Sequence, residues 1–222
     1  FGEVKLLFAG KLENWDEQSK GVKNIPLISF PHYENHSVIN NSDKWEDLLK
    51  NNEPQKEDYY PELDDIWTIV FTSGTTGDPK GVVLDYRTIY LTKIIVESDV
   101  NPLGMDRNGN NSFFSYLPLN HIFERVVLEF QCMRYGGTMS FVESLESFPK
   151  NLADVQPTTF AGVPRIYNKF KDKILEKMPQ KRLNFLLSLP IISSLIKKKI
   201  KKSLGWSNAN AIVSGAAFLP QE

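Results

Sequence analysis

Cysteine is almost missing from this sequence. A single residue of that type, Cys132, stands among 222, so no intrachain disulfide can form. It falls in an apolar helical pattern with no catalytic partner nearby and reads as a buried structural thiol. Long apolar runs are missing too: none reaches the roughly 18 to 20 residues that span a bilayer, and no N-terminal signal peptide is visible. Neither sign of charge dominates, since the formal net charge is -1, which excludes a global field directed at nucleic acid. Histidine numbers three. His32 and His36 are four apart, but Pro31, Asn35, Asn40 and Asn41 mark loop and no third ligand is at hand, so they read as solvated residues rather than a metal site. A reducing cytoplasm is the expected compartment.

What is present is the composition of a globular protein, 41% hydrophobic and 24% charged, in a length that suits one or two domains. The charge is unevenly placed. From Ser42 to Asp65 there are nine acids against three bases, and from Arg165 to Lys202 twelve bases against two acids. The front is acidic and the rear basic.

Val4 to Ala9 and Pro26 to Phe30 read as strands around a short Asn14 to Lys20 helix, a βαβ unit entered midway. Trp45 to Lys50 has helical spacing with Ser42 or Asp43 as cap, and an acidic connector runs on to Asp65. A later helix starts at Asp85 and carries Ile89, Tyr90, Ile94 and Ile95 on one face. From Ser112 strands and helices alternate: strand Phe113 to Leu117, helix Asn120 to Tyr135 stopped by Gly136-Gly137, strand Thr138 to Val142, helix Phe148 to Val155, strand Thr158 to Val163 and helix Arg165 to Met178. The last unit is a strand, Ala211 to Ser214. Such alternation predicts an α/β fold with mainly parallel sheets flanked by helices. Ligands of such sheets sit at the carboxyl ends of strands. Leu183 to Gly205, broken by Pro190 and then rich in lysine, allows two readings: helices packed on the domain with a solvated basic end, or an amphipathic element over residues 183–202 on an anionic membrane surface.

Between two β-branched runs, Thr68 to Phe71 and Val82 to Leu84, lies a loop in which hydroxyls and glycines alternate. Gly74, Gly77 and Gly81 let backbone N–H groups close on an anion. Thr72, Ser73, Thr75 and Thr76 add hydroxyl donors, and Lys80 adds a mobile point charge. The pattern predicts strand, oligophosphate-binding loop, strand. It is not a Walker A loop, because Pro79 precedes the lysine and Gly81 follows it.

The ten residues Thr72 to Gly81, TSGTTGDPKG, resemble the signature loop of the adenylate-forming (AMP-binding) superfamily, which includes acyl-CoA synthetases, firefly-type luciferases and peptide-synthetase adenylation domains. Leu117 to Arg125, LPLNHIFER, is similar to the LPLxHxFER segment of long-chain fatty acyl-CoA synthetases. Phe160 to Arg165 resembles their VPR stretch, and Ser214 to Leu219 their SGGAPL strand end, with Ala216 where a second glycine is commoner. The resemblance covers most of the chain.

That resemblance implies a two-step reaction. A carboxylate attacks the α-phosphorus of Mg-ATP to give acyl-adenylate and pyrophosphate, and coenzyme A then attacks the activated carbonyl. It assigns ATP phosphates to Thr72, Ser73, Gly74, Thr75, Thr76, Gly77 and Lys80, the purine to Gly215, Ala216 and Ala217, and the acyl carboxylate and α-phosphate side to His121. His121 begins a predicted helix, where a neutral ring can donate one hydrogen bond. Thr72 is the expected protein ligand of Mg²⁺. Arg125 could line an acyl entrance or form a salt bridge, and Arg165 is open in the same way. The expected organisation is a partial N-terminal AMP-binding domain: residues 1–65 as an incomplete βαβ part with the acidic connector, and 66–222 as the phosphate loop with the βα-repeating part. The family's Tyr-Gly-x-Thr-Glu segment, ribose-binding aspartate, hinge and small C-terminal domain are not in the sequence, so these residues by themselves are expected not to turn over. Two alternatives stay open: transfer to a carrier-protein phosphopantetheine thiol, and a non-catalytic nucleotide- or lipid-binding module.

Overall fold

A computed structural model of the chain describes residues 3–22, 24–72, 78–215 and 217. The chain divides into two units, residues 1–60 and 61–222. In the first, β1 (Leu7–Ala9) is followed by α1 (Trp15–Gln18), whose Asn14 cap accepts the Glu17 N–H at 3.4 Å. One 3-10 turn follows, then β2 (Leu27–Ser29), β3 (Asp43–Lys44) and α2 (Trp45–Asn51), with all three strands parallel in the order β1-β2-β3. Phe8, Phe30 and Trp45 meet edge-on or stacked at 5.6–6.1 Å. The expected Ser42 or Asp43 cap of α2 does not form. Asp43 is taken into the strand register opposite Ile28, and the Ser42 hydroxyl donates to Ser29 Oγ at 2.8 Å, so Lys44 occupies the cap position without a side-chain bond.

The second unit opens with an antiparallel hairpin, β4 (Ile66–Thr72) and β5 (Lys80–Asp85), which places Thr72 opposite Lys80. Asp85 ends the hairpin and caps α3 (Tyr86–Glu97), accepting the Thr88 N–H and hydroxyl at 3.0 Å. Those two bonds hold its carboxyl below the usual range. Of the apolar face expected on α3, Ile89 is half-buried and Tyr90, Ile94 and Ile95 are exposed, while Val96, outside that face, turns into the core.

Then come β6 (Ser112–Ser115), a π-helical turn over Glu124–Glu129 that runs into α4 (Phe130–Tyr135), β7 (Thr138–Phe141), α5 (Phe148–Val155), β8 (Thr159–Gly162) and α6 (Pro164–Lys177). After them α7 (Gln180–Ser188) and α8 (Pro190–Ser203) precede β9 (Ala211–Ser214). The four strands form one parallel sheet, β7-β6-β8-β9. Consecutive strand residues face opposite sides, and the core divides accordingly. Phe113 and Ala161 join Val96, Met105 and Leu128 on one face, while Phe114 and Phe160 join Phe148, Leu152 and Phe170 on the other. Each fully buried side chain of this size contributes about 1.5–3 kcal/mol. Gly137, just before β7, holds φ +132°, and a Cβ there would collide with the Asn111 carbonyl. Among the described residues no helix is long and apolar enough to cross a membrane.

Candidate active site

In the order β7-β6-β8-β9, the chain leaves β6 toward one edge and returns to add β8 on the other side. The sheet therefore changes winding direction between β6 and β8, and the crevice beyond their carboxyl ends is where doubly wound sheets take ligands. Three segments of the sequence analysis meet at that rim. The turn after β6 carries His121, Val163 follows β8, and Gly215 follows β9. Side chains cross-link the rim: the Val163 N–H donates to Tyr116 Oη at 3.2 Å, and the Tyr167 hydroxyl donates to the Val213 carbonyl at 2.6 Å. Burial pushes both phenols up, so both stay protonated hydrogen-bonding posts.

His121 lies in a turn closed by its N–H on the Pro118 carbonyl at 2.8 Å. Its Nδ1 accepts the Phe123 N–H at 3.2 Å, which leaves Nε2 to carry the ring proton and donate outward. The Phe123 ring in turn fills the space beside Gly215: a Cβ there would lie 2.8 Å from Cε2 of that ring. Gly215 has no positive φ, so it is a question of room rather than of backbone conformation.

The hairpin reaches the same place. A cavity of about 420 Å³ is bounded on one side by Val70, Phe71, Thr72, Val82 and Leu84 of β4 and β5, and on the other by Pro118, Asn120, His121 and Ile122. Its wall is apolar along the strands and polar where Thr72 and His121 face it, the pattern of a site for an amphipathic ligand. The hairpin is fixed to the π turn by Arg125, whose guanidinium lies 5.5 Å from the Trp67 ring centroid, reaches Thr68 Oγ1 at 3.5 Å and pairs with Glu129 at 3.1 Å. Trp67 also meets Phe130 edge-on at 6.0 Å. Arg125 is thus a strut between the hairpin and the helix.

A single α-helix was expected from Asn120 to Tyr135. Instead the chain turns at His121 and widens to a π-helix, with Phe130 N–H on the Arg125 carbonyl, and the Gln131 side-chain amide donates to the Val126 carbonyl at 3.1 Å. The widening turns Glu124 and Gln131 inward, where each is 0% exposed. Glu124 Oε1 accepts the Tyr116 N–H at 2.9 Å beside the Ser115 hydroxyl, and its Oε2 finds no partner among the described residues. Burial raises this carboxyl above its ordinary range against the opposing pull of those donors. Glu124 ties the π-helix to the end of β6. The sequence offered one signal for it: Glu124 stands four residues before Leu128, on the same helical face.

Lys80 is exposed at the first position of β5, and its carbonyl accepts the Thr72 hydroxyl at 3.5 Å. Arg165 is exposed at the start of α6, and Ala217 is exposed beyond β9. Ser73, Gly74, Thr75, Thr76, Gly77 and Ala216 lie outside the described residues. Cys132 is half-buried against the core around Phe113, and burial pushes its thiol up. His32 and His36 contact backbone carbonyls of their own loop at 3.0 Å, and no cluster of three metal-ligating side chains occurs among the described residues.

Solved structures share the fold. The adenylation and carrier didomain of a carboxylic acid reductase from Segniliparus rugosus, in complex with AMP, superposes with a TM-score of 0.66 at 18% identity, over 98% of this chain and 33% of that one. A red-emitting luciferase from Phrixothrix hirtus gives 0.61 at 18% identity, over 96% of this chain and 37% of its own. By sequence the chain is similar to long chain acyl-CoA synthetase 2 of Arabidopsis thaliana, 31% identical over 71% of this chain and 27% of that protein. It is also 32% identical to long-chain-fatty-acid–CoA ligase 5 of Mus musculus, over 71% of this chain and 25% of the ligase. The chain thus spans about a quarter of the curated relatives it matches. The AMP-binding enzyme family matches residues 2–222, and the chain belongs to that family.

Proposed function

We propose that this chain is the ATP- and carboxylate-binding part of an ATP-dependent long-chain fatty acid–CoA ligase, acting in the cytoplasm. The supporting observation is the cavity that joins the Thr72–Lys80 end of the hairpin to His121. In the first step a fatty carboxylate oxygen attacks the α-phosphorus of ATP; a C–O–P bond forms and pyrophosphate leaves. Lys80 and the loop donors Thr72 to Gly77 hold the β- and γ-phosphates and neutralise the charge that builds on the departing pyrophosphate, a contribution worth roughly 10²–10³ in rate per donor. His121 Nε2–H donates to the carboxylate and α-phosphate oxygens, and Gly215, Ala216 and Ala217, all small residues, take the purine. The Thr72 hydroxyl would hold Mg²⁺, which would supply positive charge to the phosphates. In the second step the thiol of coenzyme A attacks the acyl carbonyl, its proton passes to solvent or a base, and AMP leaves. The long-chain preference rests on the apolar strand wall, Val70, Phe71, Val82 and Leu84, and on the relatives' names.

The same site would serve a ligase that loads a carrier-protein thiol, and the didomain structure with AMP is a reason to keep that second reading. The test is ATP–pyrophosphate exchange by a full-length protein carrying this sequence, driven by straight-chain acids of graded length, followed by a choice of coenzyme A or phosphopantetheinylated carrier. Exchange that peaks with long chains and transfer to coenzyme A support the proposal. Exchange with aryl or amino acids alone overturns it.

A further inference from the structure

The surface of α7 and α8 is separate from the cavity and has an order of its own. The two helices are joined by Leu189 alone, with Pro190 opening α8. α8 packs inward through Ser193, Ile196 and Ile200, spaced three and four apart. Its opposite face carries Ile191, Leu195, Lys198 and Lys202, again at helical spacing and all exposed; Ile191 is 80% and Leu195 64% exposed. Four residues before the corner, Phe185 of α7 is also 64% exposed. The outward stripe is therefore apolar at the corner and basic away from it. No acid occurs between Lys177 and Gln221, whereas seven lysines and arginines do. Lys197, Lys198, Lys199, Lys201 and Lys202 have no ion-pair partner among the described residues.

We infer that the α7–α8 corner is a docking surface for an anionic lipid bilayer, with Phe185, Ile191, Ile192 and Leu195 entering the acyl boundary and the lysines of α8 lying on the headgroup phosphates. The dimensions agree. Entering tip-first, Ile191 to Leu195 would carry about 6 Å of helix, at about 1.5 Å per residue, into the apolar boundary. The lysines begin where that depth ends. A globular partner would be met by a mixed rim, but this surface offers one sign of charge next to one apolar tip, which is the complement of a negatively charged bilayer.

Sedimentation of a full-length protein carrying this sequence with large vesicles, neutral or containing an anionic phospholipid, tests the surface. Binding is expected to the anionic vesicles only and to weaken as salt rises. Lys198→Gln with Lys202→Gln should weaken it about 25-fold, at about fivefold per lysine. Ile191→Asp with Leu195→Asp should abolish it while the far-ultraviolet spectrum and thermal midpoint stay as in wild type, because both side chains are exposed. Failure of the wild type to bind anionic vesicles, which is the outcome if another part of the protein or a second copy covers this face, overturns the proposal. Equal binding to neutral vesicles, or wild-type binding by the aspartate variant, does so as well.

Discussion

Gly215→Ala isolates the room between β9 and the His121 turn. The added methyl would sit 2.8 Å from Phe123 Cε2 and 3.4 Å from Cδ2. To restore ordinary contact the ring must withdraw by about 0.6 Å, and overpacking of this kind costs about 1–3 kcal/mol. Phe123 is only half-buried, so the low end applies and about 1 kcal/mol of stability is lost. Catalysis should suffer more. The Phe123 N–H is the group that holds His121 Nδ1, so withdrawal of the ring tilts the turn that aims Nε2. Displacements approaching 1 Å cost up to about 10²-fold, and the expected fall is about tenfold in ATP–pyrophosphate exchange by a full-length protein. Phe123→Leu in the same protein removes the obstructing ring edge and should recover most of the loss. If Gly215→Ala exchanges at the wild-type rate, or if Phe123→Leu leaves the deficit unchanged, the Gly215–Phe123–His121 chain of contacts is not what positions the histidine.

Three further outcomes follow from burial. Glu124 has a raised carboxyl in the folded state, so the folded protein binds its proton more tightly than the unfolded chain does, and stability falls as pH rises from the ordinary value of 4.5 through the raised folded value. Glu124→Gln removes that slope: urea midpoints of variant and wild type should converge in acid and separate, with the variant more stable, at neutral pH; parallel profiles would contradict the assignment. Gly205 holds φ +73° with its α-hydrogen against the Leu152 carbonyl, and Gly205→Ala should cost about 3 kcal/mol through left-handed strain and overpacking; a loss below about 1 kcal/mol in a denaturant titration would refute that. Cys132 should be alkylated much more slowly in the native protein than in urea, since burial disfavours its thiolate, and equal rates would show an open site.

The β4–β5 hairpin could be read from sequence because its information is local: β-branched runs on either side set the strands that face Thr72 with Lys80. Helix α5 and strand β9 fall on their expected residues, Phe148–Val155 and Ala211–Ser214, for the same reason. The π turn was not legible. An inserted residue leaves the apolar count unchanged but rotates Glu124 and Gln131 inward, the reverse of what hydrophobic periodicity selects. The α3 face misled in the opposite sense, since Ile94 and Ile95 are apolar yet exposed. Contacts such as Phe123 with Gly215 or Arg125 with Trp67 join segments far apart in the sequence, and no local pattern encodes them. The switch between β6 and β8 is likewise a property of strand order, not of any one strand.

In the proposed function the hairpin and the β6 turn form one adenylation site. The most direct measurement is ATP–pyrophosphate exchange with a long-chain fatty acid by full-length Lys80→Ala and His121→Ala proteins, each compared with wild type after its thermal midpoint is shown to be unchanged. Both variants are expected to lose exchange by about 10²-fold or more, because both act on the same step. Full exchange by either variant would place that residue outside the chemistry and divide the proposed site.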